Sequence, residues 1–149
     1  MKLSKHFSLE ELCKSQTAIR LGIDNLAKDE NIITNLRTIC ENILEPIREN
    51  YGIPFSPNSG YRSPKLNNAV GSSHKSQHLK GQAVDVEIPS IDNYELAQWI
   101  RNNLDFDQLI LEFYNGEPSS GWVHVSFAEE NRKQLLTFNG KDWNSGLVK

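Results

Sequence analysis

Ala83-Val84-Asp85-Val86-Glu87-Ile88 alternates apolar and polar side chains. That period of two predicts a strand, with Val84, Val86 and Ile88 on one face and Asp85 and Glu87 on the other. Working upstream, Gly71 to Lys80 is polar and reads as a loop. Ser63-Pro64 reads as an N-cap followed by proline at N1, so a short helix should run to about Val70 and stop at Gly71. Residues 53–60 hold two prolines and read as an extended segment at a sheet edge. Before them Ile32, Ile33, Leu36, Ile39, Cys40, Ile43, Leu44 and Ile47 recur at spacings of three and four, the signature of one buried helix face. Pro46 should kink or tighten the last turns of that helix, and Asn50-Tyr51-Gly52 should end it. Ser8-Leu9-Glu10-Glu11 forms a capping box and predicts a further short helix.

Downstream, Asp92-Asn93-Tyr94-Glu95 predicts a second capping box and a helix whose core face is Leu96, Trp99 and Ile100. Two more strands follow. In residues 107–114, Leu109, Leu111 and Phe113 share one face, and Ile110, Glu112 and Tyr114 the other. In residues 121–128, Trp122, His124 and Ser126 oppose Val123, Val125 and Phe127. Asn139-Gly140 between two apolar runs predicts a type I′ hairpin. Helices come first, then strands with one inserted helix. This order predicts an α+β fold, with N-terminal helices packed on a small, mainly antiparallel sheet.

The chain has 149 residues, enough for one domain with its own core. A single domain is expected over 1–149, with a helical part over about 7–52 and the sheet over about 53–143. The net charge of -3 comes without any Lys/Arg stripe, which argues against a nucleic-acid partner. Cys13 and Cys40 lack metal-ligand spacing and read as reduced, buried thiols. No apolar run is long enough for a bilayer, and residues 1–6 carry no apolar core of a signal peptide. A monomer made in the cytoplasm, with no membrane partner, is the expectation.

Polar residues inside strands carry the chemical information. Asp85 and His124 each sit between valines, and Glu112 sits between leucine and phenylalanine. A carboxylate in such a place is costly unless it is paired or bound to a cation. Neighbouring strands could bring these groups together, and His78 could join them from the preceding loop. A hydrolytic Zn²⁺ site needs three protein ligands and one open position, and His and Asp are suitable ligands.

The surrounding residues sharpen this reading. Ser76 to Asp85 matches S-x-H-x-x-G-x-A-x-D at every fixed position. Trp122-Val123-His124 supplies W-x-H, and Ser59-Gly60-Tyr61-Arg62-Ser63 supplies S-G-Y-R-S. Over roughly Phe7 to Phe127 the chain resembles the zinc D-alanyl-D-alanine carboxypeptidase family, within the lysostaphin, D-Ala-D-Ala metallopeptidase and hedgehog group. Phe7-Ser8-Leu9-Glu10-Glu11-Leu12 resembles its small phage and prophage branch. The resemblance implies one Zn²⁺ per chain, held by His78, Asp85 and His124. Gly81 would let the chain turn between His78 and the strand, and Ala83 would keep the approach to the metal open. Many relatives carry an acid three positions before the last histidine, where this chain has Gly121. Glu112 is therefore the expected general base, in an arrangement that looks like that of hedgehog, with Glu117 and Asp107 as fallbacks. The resemblance gives Arg62 the substrate carboxylate or the oxyanion. Ser76 would contact substrate or shape the loop. His74 reads as exposed, and Trp122 as a possible cleft wall.

These expectations describe a peptidase that cuts the peptidoglycan stem peptide, as a D-Ala-D-Ala carboxypeptidase or as an endopeptidase. It would act on the cell wall after holin-type release. The alternatives are a catalytically silent zinc-binding module and a phage structural module of the same fold.

Overall fold

A computed structural model describes the whole chain, Met1 to Lys149. Two short helices open it, α1 (Leu9–Cys13) and α2 (Gln16–Leu21). The Ser8 capping box forms as expected, with Ser8 Oγ accepting from Glu11 N and the Glu11 carboxylate accepting from Ser8 N. The long helical run comes next as α3 (Glu30–Ile39), a π-helical turn (Cys40–Leu44) and α4 (Glu45–Tyr51). Proline has no N–H to give the carbonyl four residues back, and its ring crowds that carbonyl. The wider π turn directly before Pro46 accommodates both defects. Gly52, at φ +65°, ends α4 in the left-handed conformation. Leu36, Ile39, Cys40, Ile43, Leu44 and Ile47 are fully buried on one face of this run.

Helix α5 (Pro64–Ala69) starts on the Ser63 cap. The polar stretch before the decisive strand is not all loop, because Gln77–Lys80 forms a 3₁₀ turn. Strand β1 (Ala83–Val86) follows, then α6 (Asn93–Asn103). Asp92 caps α6 by accepting from Tyr94 N, but Glu95 makes no reciprocal bond, so the second capping box is only half formed. Trp99 is only partly buried and packs against Tyr51, while Leu96, Ala97 and Ile100 carry the core face. The remaining strands are β2 (Gln108–Glu112), β3 (Trp122–Ser126), β4 (Gln134–Phe138) and β5 (Trp143–Ser145).

The five strands lie in the order β1-β3-β2-β4-β5, and every pair is antiparallel except β2–β4. The α+β architecture with a mainly antiparallel sheet is the one expected from the element order. Asn139-Gly140 does join two antiparallel strands, but the turn is not type I′. Type I′ needs two central residues at positive φ, and here only Gly140 has one. The connection spans residues 139–142, and Asn139 Oδ1 accepts from the amides of Lys141 and Asp142.

One sheet face builds the core: Val84 and Leu109 pair with Val125, and Val86 and Leu111 pair with Val123. The helices cover this face. Cys13 and Cys40 are buried free thiols within the same core, and burial pushes the Cys40 thiol up to about 12. The opposite face carries the polar strand residues. Residues 53–60 do run along the β1 edge, but as an extended segment with one bridge, in which Asp85 N donates to the Ser59 carbonyl at 2.8 Å. No helix is long and apolar enough to cross a membrane.

Candidate metal centre

Asp85 and His124 are direct partners across β1 and β3, and directly opposed residues point to the same face. His78 reaches that face from the 3₁₀ turn. Gly81, at φ +70°, closes this turn, and a Cβ there would press on the Ile32 carbonyl and the Leu36 side chain. Glycine is thus needed both for the turn and for its packing on α3. Ser76 caps the turn, its Oγ accepting from His78 N at 3.2 Å. The turn is anchored from below by Asp107, which accepts from Gln77 Nε2 at 3.0 Å.

His78, Asp85 and His124 bring one donor atom each within 4.8 Å of one another. His124 Nδ1 lies 3.0 Å from Asp85 Oδ1, and His78 Nε2 lies 3.6 Å from Asp85 Oδ2. Tetrahedral zinc with bonds near 2.0–2.1 Å separates its ligand atoms by about 3.3 Å, so the spacing fits. The protonation pattern fits too. His78 Nδ1 is 2.7 Å from the Gly60 carbonyl, which can only accept, so Nδ1 carries the proton. That leaves Nε2 as the ring atom that faces the Asp85 carboxylate and can serve as a ligand. The Gly60 carbonyl sets the tautomer, as outer partners of ligating histidines commonly do.

Asp85 and His78 are buried, and the His124 side chain is only 12% exposed. Burial pushes the Asp85 carboxyl up, but hydrogen bonds to His124 and His78 outweigh it and hold the group well below the usual carboxylate range. Arg62 adds positive charge, with a guanidinium nitrogen 3.7 Å from Asp85 Oδ2 and another donating to Ser72 Oγ at 3.0 Å.

Each residue of the Ser59–Ser63 stretch has a separate task. Ser59 bonds β1, and the Gly60 carbonyl orients His78. Gly60 packs so closely on Leu12 that a Cβ would collide with the Leu12 carbonyl. Tyr61 N donates to that same carbonyl, Arg62 N donates to the His78 carbonyl, and Ser63 caps α5. Asn25, buried and unmarked by any periodicity, ties this stretch to the N-terminal helices. Its amide donates to the carbonyls of Cys13 and Tyr61, and its oxygen accepts from Ser63 N.

The triad opens into a cleft of about 970 Å³ that also holds Arg62, Ser76, Glu112 and Trp122. Burial, followed by the charge of Asp85, pushes the Glu112 carboxyl up, while His124, Trp122 and Arg62 partly offset the rise. Trp122 Nε1 is near Glu112 but lacks a properly formed hydrogen bond. Of the fallback carboxylates, Asp107 is consumed by Arg132, whose Nε and Nη2 donate to it at 2.8 and 2.9 Å, and by Gln77. Glu117 sits on an exposed loop and does not line the cleft. His74 is exposed and also outside the cleft. Ala83 is fully buried opposite Ser126 and does not line the cleft.

A family model for peptidase M15 matches residues 5–126, most of the chain and all three metal-facing residues. The chain belongs to the peptidase M15 family. Peptidase M15 proteins are zinc-dependent metallopeptidases that act on peptidoglycan, which agrees with the donor set in the cleft. No curated protein matches the chain. The matched region of this M15 chain ends at the last residue of β3, so β4 and β5 extend the sheet beyond it. Their aromatic residues Phe138 and Trp143 line the cleft and were not marked as site residues by the motifs, which all lie upstream.

Proposed function

We propose that the chain hydrolyses a peptide bond of the peptidoglycan stem peptide, with Zn²⁺ held by His78 Nε2, the Asp85 carboxylate and His124 Nδ1. The observation that carries this reading is the convergence of the His78, Asp85 and His124 donor atoms in one cleft with the Glu112 carboxylate. Zinc in this position supplies the Lewis acidity that polarises a carbonyl and acidifies water.

Glu112 acts as the general base. Its carboxylate takes a proton from the attacking water and returns it to the leaving amine. Burial raises its proton affinity, which suits a group that must accept and then release a proton. Arg62 pairs with a substrate carboxylate or the developing oxyanion, and its fork can serve either. Ser76 lies at the cleft wall, where its hydroxyl can contact substrate while capping the His78 turn. A phage or prophage lysis setting is part of this proposal, and its support is the Phe7–Leu12 motif.

A silent zinc module is the competing reading, and Gly121 is its motivation. Mass spectrometry of digested peptidoglycan separates the two. The wild-type chain should release shortened stem peptides. Glu112→Gln should keep one zinc per chain and lose turnover by about 10²–10⁴-fold. Zinc-loaded wild type with no product would establish the silent module, and full activity in Glu112→Gln would move the base elsewhere.

A further inference from the structure

The face that carries the triad holds two adjacent rows of side chains. One row is Asp85, His124, Ile110 and Leu136, running across β1, β3, β2 and β4. The next, two residues along, is Trp122, Glu112, Phe138 and Trp143, running across β3, β2, β4 and β5. The second row is therefore an aromatic row interrupted only by the proposed base. Phe138 and Trp143 are stacked, with centroids 4.3 Å apart and planes 22° from parallel. Phe113 joins them, 5.0 Å from Trp122 and 5.5 Å from Phe138.

Phe113 reaches this position by an unusual backbone. Its φ of +59° breaks the strand alternation, which would otherwise send its ring to the core face. A non-glycine residue there costs about 1–2 kcal/mol, and such strain is tolerated mainly where surroundings or function demand it. Gly140 leaves room for the ring, since a Cβ there would lie 2.7 Å from Phe113 Cε1. The outcome is open to solvent: Phe113 is 42% and Trp143 56% exposed. Two large rings are thus held outward on the wall of the cleft.

We propose that Phe113, Phe138 and Trp143 form a subsite for a pyranose ring of the glycan strand, a reading that rests on peptidoglycan being the substrate. Stem peptides consist of small methyl-bearing residues, carboxylates and amines, none of which offers a flat apolar face. The sugar does, because a pyranose presents C–H bonds on its faces and hydroxyls at its rim. The spacing also suits a substrate that runs from sugar to peptide. β5 lies three strand spacings from the His124 strand, about 14 Å. That is the length of about four extended peptide units. A stem peptide seated at the triad can therefore place its own sugar on the aromatic row. Two of its three rings, Phe138 and Trp143, lie in the hairpin beyond the family match, so they would add a specificity element to the shared metal centre.

The test uses the N-acetylglucosamine–N-acetylmuramic acid disaccharide without peptide, which has no scissile bond and so reads binding whether or not the chain is a peptidase. Titration should shift the Trp143 indole N–H resonance. Trp143→Ala should weaken binding about tenfold, the worth of one stacking contact, and Trp143→Tyr should restore most of it. In turnover, Trp143→Ala should lower the preference for disaccharide-linked over free stem peptide by a similar factor. Trp143 is exposed, so an unchanged melting temperature would certify the fold. The proposal is overturned if the disaccharide leaves Trp143 unmoved. It is equally overturned if free stem peptide alone produces the shift, or if the rings prove to be covered by a second copy of the chain.

Discussion

At the scale of the residue, the informative position is Gly121. The resemblance to the carboxypeptidase family leads one to expect an acid there, and its lack in this chain raises the question of whether the chemistry survives. The local backbone answers in physical terms. Gly121 has φ +63°, and a Cβ at that position would collide with the Glu112 carbonyl oxygen and crowd the backbone of Phe113 and Tyr114. No acid can stand there while the ends of β2 and β3 keep this shape. The same close approach seats Glu112 opposite Trp122 and one row from His124. The glycine and the strand glutamate are thus two parts of one arrangement. Gly121→Ala should cost about 2–4 kcal/mol, combining a left-handed alanine with a backbone clash. Urea denaturation would measure it. Gly121→Glu should be at least as destabilising and should not rescue Glu112→Gln; a stable, active double variant would show that the strand ends can open to admit the acid.

At the scale of the element, the 3₁₀ turn that carries His78 depends on Asp107 beneath it. Asp107 accepts two bonds from the Arg132 side chain, one from Arg132 N at 3.1 Å and one from Gln77. The Arg132 bond, with the others, holds the Asp107 carboxyl below its usual range. A depressed folded value stabilises the native state in full above the unfolded value, near 3.9, and that contribution is lost as pH falls through the folded value. Asp107→Asn should therefore cost about 1–2 kcal/mol at neutral pH, a modest figure because Arg132 is mostly exposed. The gap from wild type should narrow below about pH 4 and close only once the pH is below the depressed folded value. A gap that stays constant with pH would assign the loss to packing instead. Legibility in the sequence also divides by element. The α3–α4 face, the Ser8 cap and strands β1 to β3 were readable because burial imposes a period and capping imposes a residue type. At Pro46 the sequence predicts a kink or a tightening, and the helix instead widens into a π turn, since the sequence marks the missing N–H but not how the helix absorbs it. The 3₁₀ turn reads as loop in the sequence because its residues are polar and its fixation comes from Asp107, far away in sequence. The type I′ turn failed because Asn139 uses its side chain, not a left-handed backbone, to close the hairpin. Of the site, the His78–Asp85–His124 convergence was legible from motif and strand phase. Asn25 and the Gly60 carbonyl were not, since a single buried amide or a backbone oxygen leaves no pattern.

At the scale of the whole molecule, the triad joins parts of the chain that are otherwise held by different contacts. His78 comes from a turn packed on α3 through Gly81, Asp85 from the sheet edge, and His124 from a strand inside the sheet. The Gly60 carbonyl behind His78 belongs to a segment pinned to α1 through Leu12. A metal that binds only this assembled arrangement must stabilise the fold as a whole, because the unfolded chain does not present the three donors together. Zinc at a hundred times its dissociation constant would add about 2.7 kcal/mol. For a chain of this length that corresponds to a rise in melting temperature of about 5–10 °C. Chelator-treated protein should therefore melt lower than the zinc-loaded form, and stoichiometric zinc should restore the difference. His124→Ala should melt at one temperature with or without zinc, because two remaining donors hold the metal too weakly. Glu112→Gln should keep the full response, since its carboxylate lies beside the donors and not among them. Scanning calorimetry of these three proteins, each with and without zinc, distinguishes a metal that organises the molecule from one that merely adheres to it. A zinc response that persists in His124→Ala would place the ion elsewhere, and with it the chemistry assigned to this cleft.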